Sequence, residues 1–296
     1  MLTIITATFN RRSTLPRLYA SLCRQTSRDF EWVVIDDGST DDTTGLLREW
    51  QRDEIIDLRY FRKLNEGKHV AVNLAVSQAL GDFSMIVDSD DWLATNAVEL
   101  VTTWAQDTIG RPNLAGVSGL KNLGNPPRLE RFPREFVESS HRDRLQYGLR
   151  GDLAAEAYRT NILREFPFPV YSNEKFMHEA VVWNRIADAG YVVRWYPVVI
   201  YYAEYQPGGL TRSAEENAIN SFEGFTTYMV EASRGLHGWR RFRLIGAYGK
   251  IARVHRLRTR EIASRFNCSP VTAWLARWSK VAFDRVRSLR RQSPGE

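Results

Sequence analysis

Two hydrophobic periods alternate along the first hundred residues. Short β-branched runs at 2–6 (Leu-Thr-Ile-Ile-Thr) and 31–36 (Glu-Trp-Val-Val-Ile-Asp) read as buried strands. Between them Leu15, Leu18, Tyr19, Leu22 and Cys23 recur at helical spacing. Ser13 or Thr14 stands ready as a cap, and Pro16 sits in the first turn, where its missing N–H does no harm. A second helix is predicted after Asp41-Asp42, with Leu46, Leu47 and Trp50 on one side, followed by a strand over Leu58–Phe61. Ala71, Leu74, Ala75, Gln78 and Ala79 continue as a helix closed by Gly81, and a strand over Phe83–Val87 runs into Asp88. This β-α-β-α-β-α-β order predicts an α/β protein with a Rossmann-like, mostly parallel sheet flanked by helices. Sheets of that kind take ligands beyond the carboxyl ends of their strands.

The pattern weakens over 110–150, which reads as long connections around one strand, Ala115–Leu120. Helical patterning resumes from Asp152 and breaks at Phe166-Pro167-Phe168-Pro169. A helix is expected over 178–189, a strand pair or bent strand over 192–205, and a turn at Gln206-Pro207-Gly208-Gly209.

Polar residues gather where the strands end. The four ends carry Thr8-Phe9-Asn10-Arg11, Asp36-Asp37-Gly38-Ser39, Asn65-Glu66-Gly67-Lys68 and Asp88-Ser89-Asp90-Asp91. In an extended strand end, alternate residues face one side, so Asp88 and Asp90 are placed to share a ligand. Two carboxylates suit Mg²⁺ or Mn²⁺, hard cations that also hold substrate phosphates. The same acids would also favour the start of a following helix. Asp37 is a candidate for reading a nucleobase edge, because a carboxylate accepts from the N3–H of uracil. Asp36–Asp41 would equally make a turn with caps for the next helix. Phe9 offers either a stacking face for the base or a core side chain, and Lys68 is the natural phosphate cation.

Composition narrows the class. The chain has 296 residues, 43% hydrophobic and 26% charged, enough for one large or two modest domains with a packed core. No run approaches the roughly 20 apolar residues needed to span a bilayer. The start, Met1-Leu2-Thr3-Ile4-Ile5, carries no secretory pattern, and two cysteines build neither a disulfide framework nor a structural zinc site. A cytoplasmic location is the expectation, with association at the inner face of the membrane. The net charge of +6 is unevenly spread, because residues 237–296 hold 15 Lys/Arg against 3 Asp/Glu. A basic tail on an acidic body points to a polyanionic partner or to a solvated helix face.

The order and spacing of Thr8-Phe9-Asn10-Arg11, Gln25-Thr26, Val33–Asp41, Asn65-Glu66-Gly67-Lys68, Asn73 and Asp88-Ser89-Asp90-Asp91 resemble family 2 glycosyltransferases with the GT-A fold. The likeness is close over 1–105 and looser to about 215. It implies a GT-A catalytic domain over 1–215, in which 1–105 binds the nucleotide-sugar and 106–215 forms the acceptor side. A basic helical extension then covers 216–296. It also implies a metal-dependent, inverting transfer from a nucleotide-sugar, usually UDP-linked, to a hydroxyl acceptor, with Mn²⁺ or Mg²⁺ as cofactor. On that resemblance Thr8, Phe9, Asn10, Asp37, Lys68, Asp88 and Ser89 would bind the nucleotide-sugar, and Asp88 and Asp90 the metal. The family's base stands in an acidic pair opening a helix. Matching Trp183, Arg185 and Ala187 to that helix puts Glu179 in the base position, with His178 in place of the first acid and available as a rival. A sugar-phosphate nucleotidyltransferase would share the sheet and the metal-holding acid. It would place a Gly-rich loop after the first strand, where this chain has Ala7-Thr8-Phe9-Asn10.

Two readings compete for the tail. Residues 260–272 look like a helix-turn-helix, which would make a DNA-binding module, although the turn glycine is missing. Alternatively Val271, Trp274, Leu275, Trp278, Val281, Ala282, Val286 and Leu289 form one apolar helical stripe flanked by Arg277, Lys280, Arg287, Arg290 and Arg291. That pattern suits an interfacial helix on an anionic membrane surface, and a lipid-linked acceptor would agree with it. Packing of the stripe against the catalytic body is the other possibility. Nucleic acid is the less favoured partner.

Overall fold

The structure, a computed structural model, describes residues 1–125, 132, 135–150, 153–204 and 214–279. The chain divides into two compact units, one of residues 1–175 and 182–209, the other of 176–181 and 210–296.

The first unit opens with β1 (Leu2–Thr8), α1 (Leu15–Cys23), β2 (Phe30–Asp36), α2 (Thr43–Asp53), β3 (Leu58–Arg62), α3 (Lys68–Gln78) and β4 (Phe83–Ile86). Strands β3-β2-β1-β4 are neighbours in that order and all parallel. Every residue of β2 is buried, as expected of a strand covered on both faces. Leu15, Leu18 and Leu22 of α1 are fully buried against the sheet, each contributing about 1.5–3 kcal/mol of transfer free energy. Tyr19 stacks on Trp50 of α2 at 4.1 Å, and both lie beside Trp32 of β2. The apolar stripes of α1 and α2 thus meet over one strand.

Beyond β4 the sheet becomes mixed. It continues through β5 (Trp92–Leu93), α4 (Ala97–Gln106), β6 (Leu114–Asn122), β7 (Val137–Ser139), β8 (Ala154–Arg159), α5 (Thr160–Glu165), α6 (Ala180–Asp188) and β9 (Val192–Tyr202). The full order is β3-β2-β1-β4-β8-β6-β9-β5, with β7 paired to β9. Strand β8 runs antiparallel to both β4 and β6, so parallel pairing holds in the first half and at β6–β9. Helical patterning expected from Asp152 is replaced by this strand. Ala154-Ala155-Glu156-Ala157 favours helix in isolation, but the segment lies between two strands and buries Ala155, Ala157 and Tyr158. Tertiary pairing overrides the local preference. Helix α5 follows and stops at Phe166, before Pro167. The expected turn at 206–209 lies outside the described residues.

The second unit contains α7 (Ala214–Asn220), α8 (Phe222–Arg234), α9 (Gly238–Val254), α10 (Thr259–Arg265) and α11, which runs from 270 to the last described residue, 279. It has its own core, with Phe222, Met229, Ile245, Tyr248, Ile251, Ile262 and Phe266 buried together with Ala273 and Ala276 of α11. Ser269 starts α11 by accepting the Thr272 N–H at 3.0 Å, with Pro270 next in line. Helices α10 and α11 are thus joined by the short link 266–269. The predicted stripe residues Val271, Trp274, Leu275 and Trp278 are exposed, while Val281, Ala282, Val286 and Leu289 lie outside the described residues. Among the described residues no helix is long and apolar enough to cross a membrane.

Candidate active site

The carboxyl ends of β1, β2 and β4 converge in the first unit, as the parallel pattern requires. Asp37 N donates to Thr8 O at 2.8 Å, tying the first two strand ends. Thr8 is buried, and its Oγ1 has no hydrogen-bond partner among the described residues. An orphaned hydroxyl there is a ready donor or acceptor for a ligand. Phe9 is 43% exposed, which excludes the core reading and leaves its ring open for stacking. Asn10 adopts a left-handed φ of +54°, a region that tolerates Asn. Its Oδ1 accepts from Thr40 N at 2.7 Å and Asp41 N at 3.3 Å, and its own N–H donates to Ser39 Oγ at 2.9 Å. Asn10 therefore joins the β1 end to the β2–α2 loop.

Asp36 and Asp37 divide the work after β2. Buried Asp36 accepts from Ser39 N at 2.7 Å and Thr44 Oγ1 at 2.9 Å, which shapes the turn. Asp37 Oδ1 accepts from Lys63 Nζ at 2.6 Å and Glu66 N at 3.0 Å, and Oδ2 from Gly67 N at 2.8 Å. The carboxylate clamps the β3–α3 loop and keeps acceptor capacity on Oδ2. Gly67 is required for this approach. Its φ is +103°, and a Cβ would stand 2.1 Å from Lys175 O. Gln25 and Asn73 also prove structural, Gln25 bonding Ala94 O and Val98 N, Asn73 bonding both backbone groups of Phe168.

The acidic cluster departs from the extended geometry expected of it. Strand β4 ends at Ile86, and Asp91 N donates to Asp88 O at 3.1 Å, closing a turn. The placement of Asp88 and Asp90 therefore comes from a turn and its neighbours rather than from strand alternation. Lys68 Nζ lies 2.5 Å from Asp88 Oδ1, and Arg11 Nη2 lies 3.5 Å from Asp90 Oδ2. Arg17 of α1 bonds the Asp90 carbonyl, pairs with Glu204 at 2.7 Å and lies over the Trp92 ring at 4.0 Å. Ser89 is buried within the turn. Burial opposes ionisation of Asp88, but Lys68, Lys121 and Arg11 outweigh it and hold its carboxyl below the usual range.

Asp91 behaves differently. Burial, reinforced by the charge of Asp88, pushes its carboxyl up to about 7. Tyr201 Oη donates to Asp91 Oδ2 at 2.7 Å and accepts from Asp88 N at 3.0 Å. Burial and the two carboxylates raise that phenol well above its ordinary value, so it stays protonated. Lys121, the cross-strand partner of Tyr201, sits over the phenol ring at 4.3 Å. Tyr201, Lys121, Lys63 and Arg17 went unmarked in the sequence. Only pairing of β9 with β6 brings Tyr201 and Lys121 together.

The donor set fits a hard divalent cation held by one or two carboxylates and completed by substrate phosphates and water. Asp88 and Asp90 would supply the carboxylates. Among the described residues no group of three His, Cys, Asp or Glu side chains forms an all-protein cage.

Glu179 lies in the 176–181 segment grouped with the second unit, and the boundary between units falls within the first turn of α6. It is half-buried. His178 stacks on Tyr228 with ring centroids 4.0 Å apart, and its Nδ1 accepts from Ala180 N at 3.1 Å. That bond commits Nδ1 as an acceptor and places the proton of the neutral ring on Nε2.

A mixed sheet with a carboxylate- and cation-lined edge at its first strand ends is the architecture of the GT-A nucleotide-sugar fold. Residues 3–131, somewhat under half of the chain, match the model "Glycosyl transferase family 2". The chain is 37% identical over 97 residues to an uncharacterized glycosyltransferase of Rickettsia felis, 33% of this chain but 16% of that protein. It is 26% identical over 236 residues to the GalNAc(5)-diNAcBac-PP-undecaprenol beta-1,3-glucosyltransferase of Campylobacter jejuni, 76% of this chain and 71% of that one. The fold is like that of S. aureus TarS 1–349 in complex with UDP-GlcNAc, with a TM-score of 0.62 at 20% identity over 83% of this chain and 71% of that chain. It is also like the mannosyltransferase PcManGT of Pyrobaculum calidifontis in complex with GDP-Man and Mn²⁺, with a TM-score of 0.57 at 21% identity over 95% and 80%.

Proposed function

We propose that this chain is an inverting glycosyltransferase that moves a sugar from a UDP-linked donor to a hydroxyl acceptor. The carrying observation is the convergence of Thr8, Phe9, Asp37, Lys68, Asp88 and Asp90 on one sheet edge. There an open ring, an orphaned hydroxyl and a carboxylate suit a base, and cations lie beside acids that suit a metal diphosphate. The family-model match over residues 3–131 and the nucleotide-sugar complexes of the fold relatives support the donor class. A lipid-linked acceptor is supported by the undecaprenol-linked substrate in the name of the Campylobacter relative.

In this reading Phe9 stacks on the base and Asp37 Oδ2 accepts its N3–H. Lys68 and Arg11 offset charge on the diphosphate. Mn²⁺ or Mg²⁺ held by Asp88 and Asp90 would supply Lewis-acid stabilisation of the leaving diphosphate. Glu179 takes the acceptor hydroxyl's proton as the new C–O bond forms and the bond from the anomeric carbon to the diphosphate oxygen breaks. The engagement of His178 Nδ1 by Ala180 N favours Glu179 for that role. Isothermal calorimetry with UDP tests the proposal. Wild-type protein should bind more tightly with Mn²⁺ than without it, and Asp90→Ala should lose that difference while melting normally. Equal UDP affinity in all four combinations would refute the metal assignment.

A further inference from the structure

We propose that the second unit carries a docking surface for anionic lipid, built from Trp239 of α9 and the outer stripe of α11. Trp239, Val271, Trp274 and Trp278 are 66%, 65%, 51% and 57% exposed, and Leu275 joins them. Helix α11 buries Ala273 and Ala276 in the core of its unit. Its larger apolar side chains therefore point outward. A helix normally buries its large apolar residues and exposes its small ones, so the reversal marks a face with a partner. Trp239 and the start of α11 border one cavity of about 420 Å³, lined by Trp239, Phe242, Ile245, Cys268 and Thr272 among others.

Charge selects the occupant. Residues 237–279 hold 10 Lys/Arg against 1 Asp/Glu. Lys250 and Arg265 pair with Glu215 and Glu223. Arg240, Arg243, Arg253, Arg256, Arg258 and Arg260 are exposed, with no carboxylate within 4.0 Å among the described residues. Arg240 and Arg243 flank Trp239 in the first two turns of α9. Tryptophans seek the headgroup boundary of a bilayer, and unpaired arginines seek its anionic phosphates. A second copy of the chain would bring a strongly basic surface against itself. Duplex DNA fits poorly as well, because the outward stripe of α11 carries no Arg, Lys, Asn or Gln to read base edges. Anionic lipid satisfies both the apolar stripe and the charge.

The test is flotation of the full chain with vesicles of phosphatidylcholine alone or with about one third phosphatidylglycerol. The chain should float with the anionic vesicles, high salt should weaken this, and tryptophan emission should shift to the blue. Arg240→Gln with Arg243→Gln should lower partitioning by roughly fivefold for each residue. Trp274→Ala with Trp278→Ala should lower it by about tenfold or more, with circular dichroism and melting unchanged. Trp239→Ala alone serves as the milder variant if the pair melts early. Equal flotation with neutral and anionic vesicles would overturn the proposal, as would a tryptophan pair that floats like the parent. It would also fail if light scattering shows a dimer that the Trp274→Ala/Trp278→Ala change dissociates. Duplex DNA binding lost on that same change would transfer the surface to nucleic acid.

Discussion

Replacing Arg59 by Met should strand a buried carboxylate under the sheet that carries the site. Glu31 of β2 has a side chain with no solvent exposure. It accepts from Thr3 Oγ1 at 2.7 Å, Leu80 N at 2.5 Å and Arg59 Nη1 at 2.8 Å, so it ties β1, β3 and the α3–β4 loop to one strand. Burial opposes its charge, but the arginine bond, the Leu80 N–H and the Thr3 hydroxyl prevail and hold its pKa below the ordinary value. Removing one partner of a sealed ion pair costs about 3–5 kcal/mol. Arg59 is 27% exposed, so water screens part of the pair, and the two remaining donors persist. The expected loss is about 2–3 kcal/mol.

The contribution of Glu31 to the pH dependence should change sign. In the wild type, Glu31 contributes stability above the ordinary carboxylate range, and this is lost as pH falls through its lowered pKa. In Arg59→Met the burial effect is left dominant and the pKa rises. The folded state then takes up a proton more readily than the unfolded chain, and stability increases as pH falls from about 7 to about 5. Urea unfolding of wild type and variant at both pH values measures this, the difference between them cancelling the share of Asp91, which titrates near 7 in both. Arg59→Met with Glu31→Gln should recover most of the loss, because the amide can be buried uncharged. A loss below about 1 kcal/mol at pH 7 would refute the reasoning, as would a double variant no more stable than the single one.

Glu179→Gln should lower turnover about 10²- to 10⁴-fold with donor affinity nearly unchanged, whereas His178→Asn should cost far less; single-turnover assays with acceptor separate the two. Tyr201→Phe removes partners from Asp88 N and Asp91 and should cost about 1–3 kcal/mol in urea unfolding. Gly67→Ala forces a Cβ against Lys175 O at a glycine-only φ and should cost about 3 kcal/mol. It should also weaken UDP binding by shifting the Asp37 clamp; a normal melting curve would contradict it.

Much of the first half was legible because local pattern and tertiary outcome agree there. Period-3.6 stripes at Leu15–Leu22 and Leu46–Trp50 and the β-branched runs before Thr8 and Asp36 each became the element they encode. Parallel pairing then had to bring those strand ends together, since side chains at the ends of neighbouring parallel strands share an edge. That places Phe9, Asp37 and Asp88 on one rim from sequence alone, and the residue types name its chemistry. The tertiary structure decided what each polar group does on that rim. Asn10, Gln25 and Asn73 are spent on backbone groups far along the chain, a use that chain order does not reveal, and Asp36 on the turn that follows it. Lys63 and the loop amides meet Asp37, and Tyr201 and Lys121 meet the Asp88–Asp91 turn, only through strand pairings between distant segments. Strand β8 is the clearest case. Its alanines favour a helix locally, and only the vacant place between β4 and β6 makes them a strand, because the hydrogen bonds and burial on both sides outweigh a propensity of a few tenths of a kcal/mol per residue.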